Sequence, residues 1–255
     1  MKKLLLIIVI LTAFSCNSQK KETDLTKENL KGKVKSYTEI SYEAIERFGK
    51  IEKGERLKGI YLINDSQVKY NEKGNKIETN NYNSGRLSSK YIYKYDNKGN
   101  RIEESYYNSD GSLRDKYISK YDNKGNNIET SGYNLDGSLR RKYIFKYDNK
   151  GNEIEESTYN SDGSFNSKYI SKYDNKGNNI ETSGYNSDGS LSLKWISKYD
   201  NKGNEIEMSY YNSDGSLDYK NVYKYENFDE KGNWTKKTPF KNVIYILERK
   251  FEYYE

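Results

Sequence analysis

Of 255 residues, 32% are charged and 33% hydrophobic, and 28 of the latter are tyrosines. Little aliphatic material remains for a thick Leu/Ile/Val interior, yet 15% aromatic residues with a single proline exclude the composition of a disordered chain and point to ordered strands. Histidine is absent and cysteine occurs once, which excludes His-dependent triads, His-containing zinc sites and a disulfide within the chain; the net charge of +6 is too mixed in sign for a nucleic-acid partner.

The chain opens with Lys2 and Lys3, followed by an apolar run from Leu4 to Phe14. That run is too short to span a membrane and reads as a secretory signal. It ends in Ala13-Phe14-Ser15-Cys16. This resembles a bacterial lipoprotein cleavage site, which implies that Cys16 becomes the acylated first residue and anchors the protein to a membrane. The expected location is the outer membrane or cell surface. Residues 17–28 are polar and charged and read as a flexible tether.

The body is repetitive. Lys-Gly-Asn occurs seven times, with glycines at 74, 99, 125, 151, 177, 203 and 232, and Asp-Gly recurs between them at Gly111, Gly137, Gly163, Gly189 and Gly215. Residues 118–134 recur unchanged at 170–186, the mark of a duplicated 52-residue block. Copy number is then adjustable without loss of fold. Each 26-residue unit holds two turn signals and two runs rich in Tyr, Ile, Ser and Thr, and so predicts one β-hairpin. Both turns suit a three-residue loop, a type I turn closed by a left-handed glycine. The predicted fold is all-β: tandem hairpin repeats in one extended, twisted, coiling antiparallel sheet.

Three-residue loops alone place Ile102 opposite Ile118, Glu104 opposite Lys116 and Tyr107 opposite Leu113. Even positions then carry the isoleucines, Ile92 to Ile206, and odd positions carry three aromatic columns. These are Tyr91, Tyr117, Tyr143, Tyr169 and Trp195; Tyr95, Tyr121, Tyr147, Tyr173 and Tyr199; and Tyr107, Tyr133, Tyr159, Tyr185 and Tyr211. An outer-membrane barrel needs an uninterrupted apolar face. Lys94, Lys116 and Lys120 interrupt one face and Glu103, Glu129 and Glu155 the other, so the expectation is an open sheet rather than a barrel. Residues 29–66 and 226–255, more apolar than the array at 67–225, read as N- and C-terminal caps.

Tyr-x-Tyr-Asp-x-x-Gly-Asn, as at Tyr93 to Asn100, followed by an Asp-Gly turn, resembles the YD repeats of RHS and teneurin-type proteins. The resemblance covers about residues 66–233 and implies a coiling antiparallel sheet at the cell surface. Large RHS proteins enclose a C-terminal toxin, for which this chain has no room. The overall pattern is also similar to small lipoproteins of the Bacteroidetes.

Candidate chemistry is sparse. Carboxylates recur every repeat on what reads as an open sheet, whereas catalysis needs one desolvated constellation. No enzyme, cofactor or metal is expected; a hydrolase would require a concave pocket with clustered carboxylates. The Asp-Gly loops carry too few oxygen ligands for calcium. The column Tyr91, Tyr117, Tyr143, Tyr169 and Trp195 is the candidate platform for a glycan or an envelope protein. Two readings of it stand: an exposed platform, or a core that replaces missing leucines.

Overall fold

The computed structural model describes residues 23–48, 50–57, 65–239 and 245–255. The signal segment, Cys16 and most of the sequence-assigned tether lie outside the described residues. A four-residue helix, α1 (Asp24–Lys27), precedes the strands β1 (Val34–Arg47), β2 (Lys50–Arg56), β3 (Asp65–Tyr70), β4 (Lys76–Asn83), β5 (Arg86–Tyr95), β6 (Arg101–Asn108), β7 (Leu113–Tyr121), β8 (Asn127–Tyr133), β9 (Leu139–Tyr147), β10 (Glu153–Asn160), β11 (Phe165–Tyr173), β12 (Asn179–Asn186), β13 (Leu191–Tyr199), β14 (Glu205–Asn212), β15 (Leu217–Phe228), β16 (Trp234–Pro239) and β17 (Tyr245–Tyr253).

From β3 to β17 each strand pairs antiparallel with the next. The array does not stay open as the sequence suggests. One edge of β1 pairs with β17 (Tyr37 opposite Phe251), its other edge pairs with β3 (Tyr37 opposite Val68), and a 16-strand barrel closes. Closure satisfies both edges of the sheet, and those edges are the segments read as caps. The remaining strand, β2, lies off the ring as a hairpin on the far end of β1. Where the edge of β1 passes from β3 to β2, Asp65 Oδ1 accepts the Ser41 amide at 2.9 Å.

The turns form as expected. Gly99 N donates to Asp96 O and Asp96 N donates to Asn100 O, with Gly99 at φ 77°. Asn108, Gly111 and Ser112 repeat this geometry at the opposite rim. Beyond each turn, however, the ladder skips a residue. Tyr95 faces Arg101 but Lys94 faces Glu103; Tyr107 faces Leu113 but Tyr106 faces Asp115. Each repeat thus carries two bulges, at positions such as Ile102 and Arg114.

A bulge exchanges the faces of the residues beyond it and bends the strand. Three expectations change accordingly. Glu103 faces Ile118 and Glu104 faces Tyr117, in place of the Ile102–Ile118 and Glu104–Lys116 pairs. The column Tyr107 to Tyr211 lies on the face opposite the other two aromatic columns. Glu103, Glu129 and Glu155 leave the aromatic face and join the lysines.

That lysine face is the outer wall. Glu103 bridges Lys94 (2.8 Å) and Lys116 (2.9 Å), and Glu181 bridges Lys172 (2.9 Å) and Lys194 (3.1 Å). Glu207 repeats this with Lys198 and Lys220. The charges that spoke against a barrel decorate its exterior, where a membrane span would need an apolar belt. Chain closure itself requires no such belt.

The densest packing lies at the Lys-Gly-Asn rim. Leu25 and Leu30 pack with Val34, Tyr37, Val68 and Tyr70, backed by Phe251 and Tyr253. Residues 23–28, assigned from sequence to the tether, form a Thr23-capped turn of helix and the first part of a strap across this mouth. Leu25 N donates to Gly74 O (3.1 Å) and Tyr95 donates its hydroxyl to Asp24 (2.7 Å). Asn29 Nδ2 donates to Lys202 O (2.9 Å), and Lys31 N to Asn233 Oδ1 (2.7 Å). The strap therefore ties together turns that belong to separate hairpins around the ring.

Candidate functional site

The inner wall is built from the repeat signature residue by residue. The tyrosine before each Asp reaches across to the preceding strand: Tyr121 donates to the Arg101 carbonyl (2.8 Å), Tyr173 to Glu153 (2.8 Å) and Tyr199 to Asn179 (3.0 Å), and Tyr225, which precedes Glu226, does the same to Glu205 (2.8 Å). Asp122 Oδ1 accepts the amides of Lys124 (2.8 Å) and Asn126 (2.9 Å), while its Oδ2 accepts Asn126 Nδ2 (2.9 Å). The column Tyr95 to Tyr199 is thus a set of clamps between hairpins, committed to the scaffold.

The candidate column behaves differently. Tyr91, Tyr117, Tyr143, Tyr169 and Trp195 all face inward and all are half-buried. Rings missed in the sequence join them: the bulges carry Tyr106 and Tyr210 to the same wall, where Tyr219 on β15 also lies. Tyr91 stacks on Tyr106 with centroids 4.6 Å apart, and Tyr210 stacks on Tyr219 at 4.3 Å. Tyr117 meets Tyr143 at 6.5 Å, Tyr169 meets Trp195 at 5.9 Å, and Trp195 meets Tyr210 at 6.1 Å.

Two glycines make this arc possible. A Cβ at Gly132 would stand 2.8 Å from Tyr117 Cε1, and one at Gly184 would stand 2.8 Å from Tyr169 Cε1. The bare backbone lets each ring lie flat over the next strand. These contacts run around the wall, and the rings keep part of their surface in solvent. Barrels of this strand number enclose more space than wall side chains fill.

Charge is interspersed among the rings. Arg140 donates to the Tyr117 hydroxyl and pairs with Asp115 at 3.1 Å; Arg114 lies 4.9 Å from the Tyr106 centroid. Glu153 and Glu156 both face inward on β10. Burial, reinforced by the neighbouring Glu156, raises Glu153 to about 7; burial also raises Glu156. Near the strapped rim, Arg249 pairs with Glu39 at 2.7 Å and covers Trp234 at 3.9 Å. Lys237 Nζ lies 3.7 Å from the Tyr223 centroid. Among the described residues no group of three potential metal ligands occurs.

No family model matches the chain, and no curated protein matches it in sequence. Among solved structures it is similar to a porin-like protein from Bacteroides uniformis, with TM-score 0.53, 11% identity, and 86% of this chain and 98% of that one covered. What the two share is the fold, a closed antiparallel β-barrel. A porin-like protein from Bacteroides vulgatus aligns at TM-score 0.46 and 12% identity over 87% of this chain and 98% of that one. The TcdB2–TccC3 complex aligns at TM-score 0.33 and 12% identity over 77% of this chain and 13% of its own. At these identities the likeness concerns architecture alone. The barrel seen here carries ion pairs outside and rings inside.

Proposed function

We propose that this chain is an exported, non-enzymatic envelope protein, anchored through Cys16, whose barrel of YD-type repeats binds a glycan along its inner wall. The observation that carries this reading is the arc of half-exposed rings around Tyr91, Tyr117, Tyr143, Tyr169 and Trp195. Sugar rings present C–H faces that stack on such surfaces, and tyrosine offers large contact area at low entropic cost. The charged outer wall supports a barrel that stands in water and is held to the membrane by its lipid. The bland alternative, tyrosines as core, suits Tyr37 and Tyr70, which are buried, and the clamp column.

The test is titration of the purified protein with a panel of glycan and cell-wall oligosaccharides, read by tryptophan emission. Saturable quenching that Tyr169→Ala weakens at least tenfold, with unchanged melting temperature, is the expected result. A panel without binding would return the column to a scaffold role. Incorporation of a labelled fatty acid, lost in Cys16→Ser, checks the anchor. A second reading, glycan cleavage, rests on the inward pair Glu153 and Glu156; product release abolished by Glu153→Gln would replace binding with hydrolysis.

A further inference from the structure

Lys237 is placed unlike the lysines of the outer ladder. Lys94, Lys120, Lys146, Lys172 and Lys198 each hold a glutamate within 3.0 Å. Lys237 points into the lumen from β16, and no carboxylate of a described residue lies within ion-pair distance of it. Its neighbours are ring faces, Tyr223 at 3.7 Å and Tyr225 at 5.5 Å. The acids on this part of the wall are engaged elsewhere: Glu39 by Arg249 at 2.7 Å, and Glu205 by the Ser197 hydroxyl at 2.6 Å. Ring faces hold an ammonium but accept its N–H bonds poorly, so the group keeps unfilled donor capacity. Burial pulls its pKa below the usual lysine value, as expected for a cation short of an anion.

The position is equally specific. Tyr219, Tyr223 and Tyr225 share the inner face of β15, so the ring arc that ends at Tyr219 continues to Tyr223 and the ammonium above it. Two steps of two residues along a strand separate Tyr219 from Tyr223, about 13 Å. The strap closes the rim nearest Lys237. An oligosaccharide lying on the arc would therefore direct its leading unit toward this cation.

Resting on the glycan-binding reading, we infer that the lumen selects acidic saccharides: sugar faces stack on the Trp195–Tyr210–Tyr219 arc, and a carboxylate of the chain pairs with Lys237. No bond is made or broken. Two tryptophans report separately, Trp195 within the arc and Trp234 beside Arg249 and Tyr225.

The experiment compares an oligogalacturonate, the same oligosaccharide with its carboxyls reduced to alcohols, and an oligoglutamate, in the full protein and in Lys237→Met and Lys237→Arg. Wild type should bind the acidic sugar at least tenfold more tightly than the reduced one. Lys237→Met should erase that preference while leaving the reduced sugar's affinity intact, and Lys237→Arg should keep most of it. Equal affinity of wild type for the two sugars overturns the inference and leaves the platform standing. So does a Lys237→Met variant that loses both sugars alike, since Lys237 would then only shape the wall. Oligoglutamate binding as tightly as the acidic sugar overturns the saccharide class. Binding of none of the three, with both tryptophans unquenched, overturns the platform itself.

Discussion

Glu103 and Glu104 are chain neighbours on one strand, as are Glu155 and Glu156, and each pair straddles the barrel wall. The outer members are held below the usual carboxylate range, chiefly by hydrogen bonds from Lys94 and Lys146. The inner members are raised, chiefly by burial. One residue type therefore stabilises the outer surface by pairing and destabilises the inner one by desolvation. The sheet is thin enough that composition alone does not distinguish the two walls; only register does.

The sharpest contrast in size should come from removing rings. Tyr70 is 1% exposed inside the strapped rim, and Tyr70→Ala should cost about 3–5 kcal/mol in denaturant unfolding. Tyr133→Ala on the outer wall should cost under about 1 kcal/mol. Equal losses would break the distinction between a packed inner rim and a solvated exterior.

The next effect is a pH dependence of opposite sign on the two walls. Glu153 has a folded pKa of about 7 against an ordinary 4.5. Its contribution is fully present below pH 4.5 and is lost as pH rises toward 7. Glu153→Gln should therefore stabilise the protein at pH 8 by about 1–2 kcal/mol, allowing for solvent in the lumen, and do nothing at pH 4. Outside, Glu78 is lowered to about 2: burial opposes the shift, but bonds from Lys69, Asn80 and Lys90 together outweigh it. Its contribution is present above pH 4.5 and lost as pH falls toward 2. Melting curves between pH 2 and 8 for wild type and both Glu→Gln variants check the two signs.

Smaller still is the clamp. Tyr173→Phe should cost about 0.5–1.5 kcal/mol by stranding the Glu153 carbonyl, whereas Tyr159→Phe on the outer wall should be near neutral. Smallest is the ladder: Glu181→Gln should cost about 0.2–1 kcal/mol at low ionic strength and nothing measurable in high salt.

Much of this molecule was legible because it is local. Asp, Gly and Asn specify the repeat turns through bonds spanning a few residues, and the 26-residue period placed the hairpins of the array between the caps. The inward column Tyr91 to Trp195 was found because it lies between bulges and moves as a set. The bulges at Ile102 and Arg114 were not legible, because they answer to the coiling of neighbouring strands rather than to their own side chains. Missing them put Tyr107 on the wrong wall and hid Tyr106 and Tyr210. Closure was missed because β1 and β17 read as caps, and nothing in either names the other as its partner. The strap was missed because only Leu25 and Leu30 mark it within a polar stretch.

That strap also acts as a ruler. The duplicated block means that the chain can lengthen by whole hairpins, and each added pair of strands widens a closed ring. A span of fixed length, running from the turn at Gly74 past Lys202 to Asn233, cannot stretch with the mouth it crosses. A longer relative would have to lengthen this segment or leave one end of its barrel ajar. Growth by duplication, free in an open sheet, is gauged here by residues 23–33, which belong to no repeat.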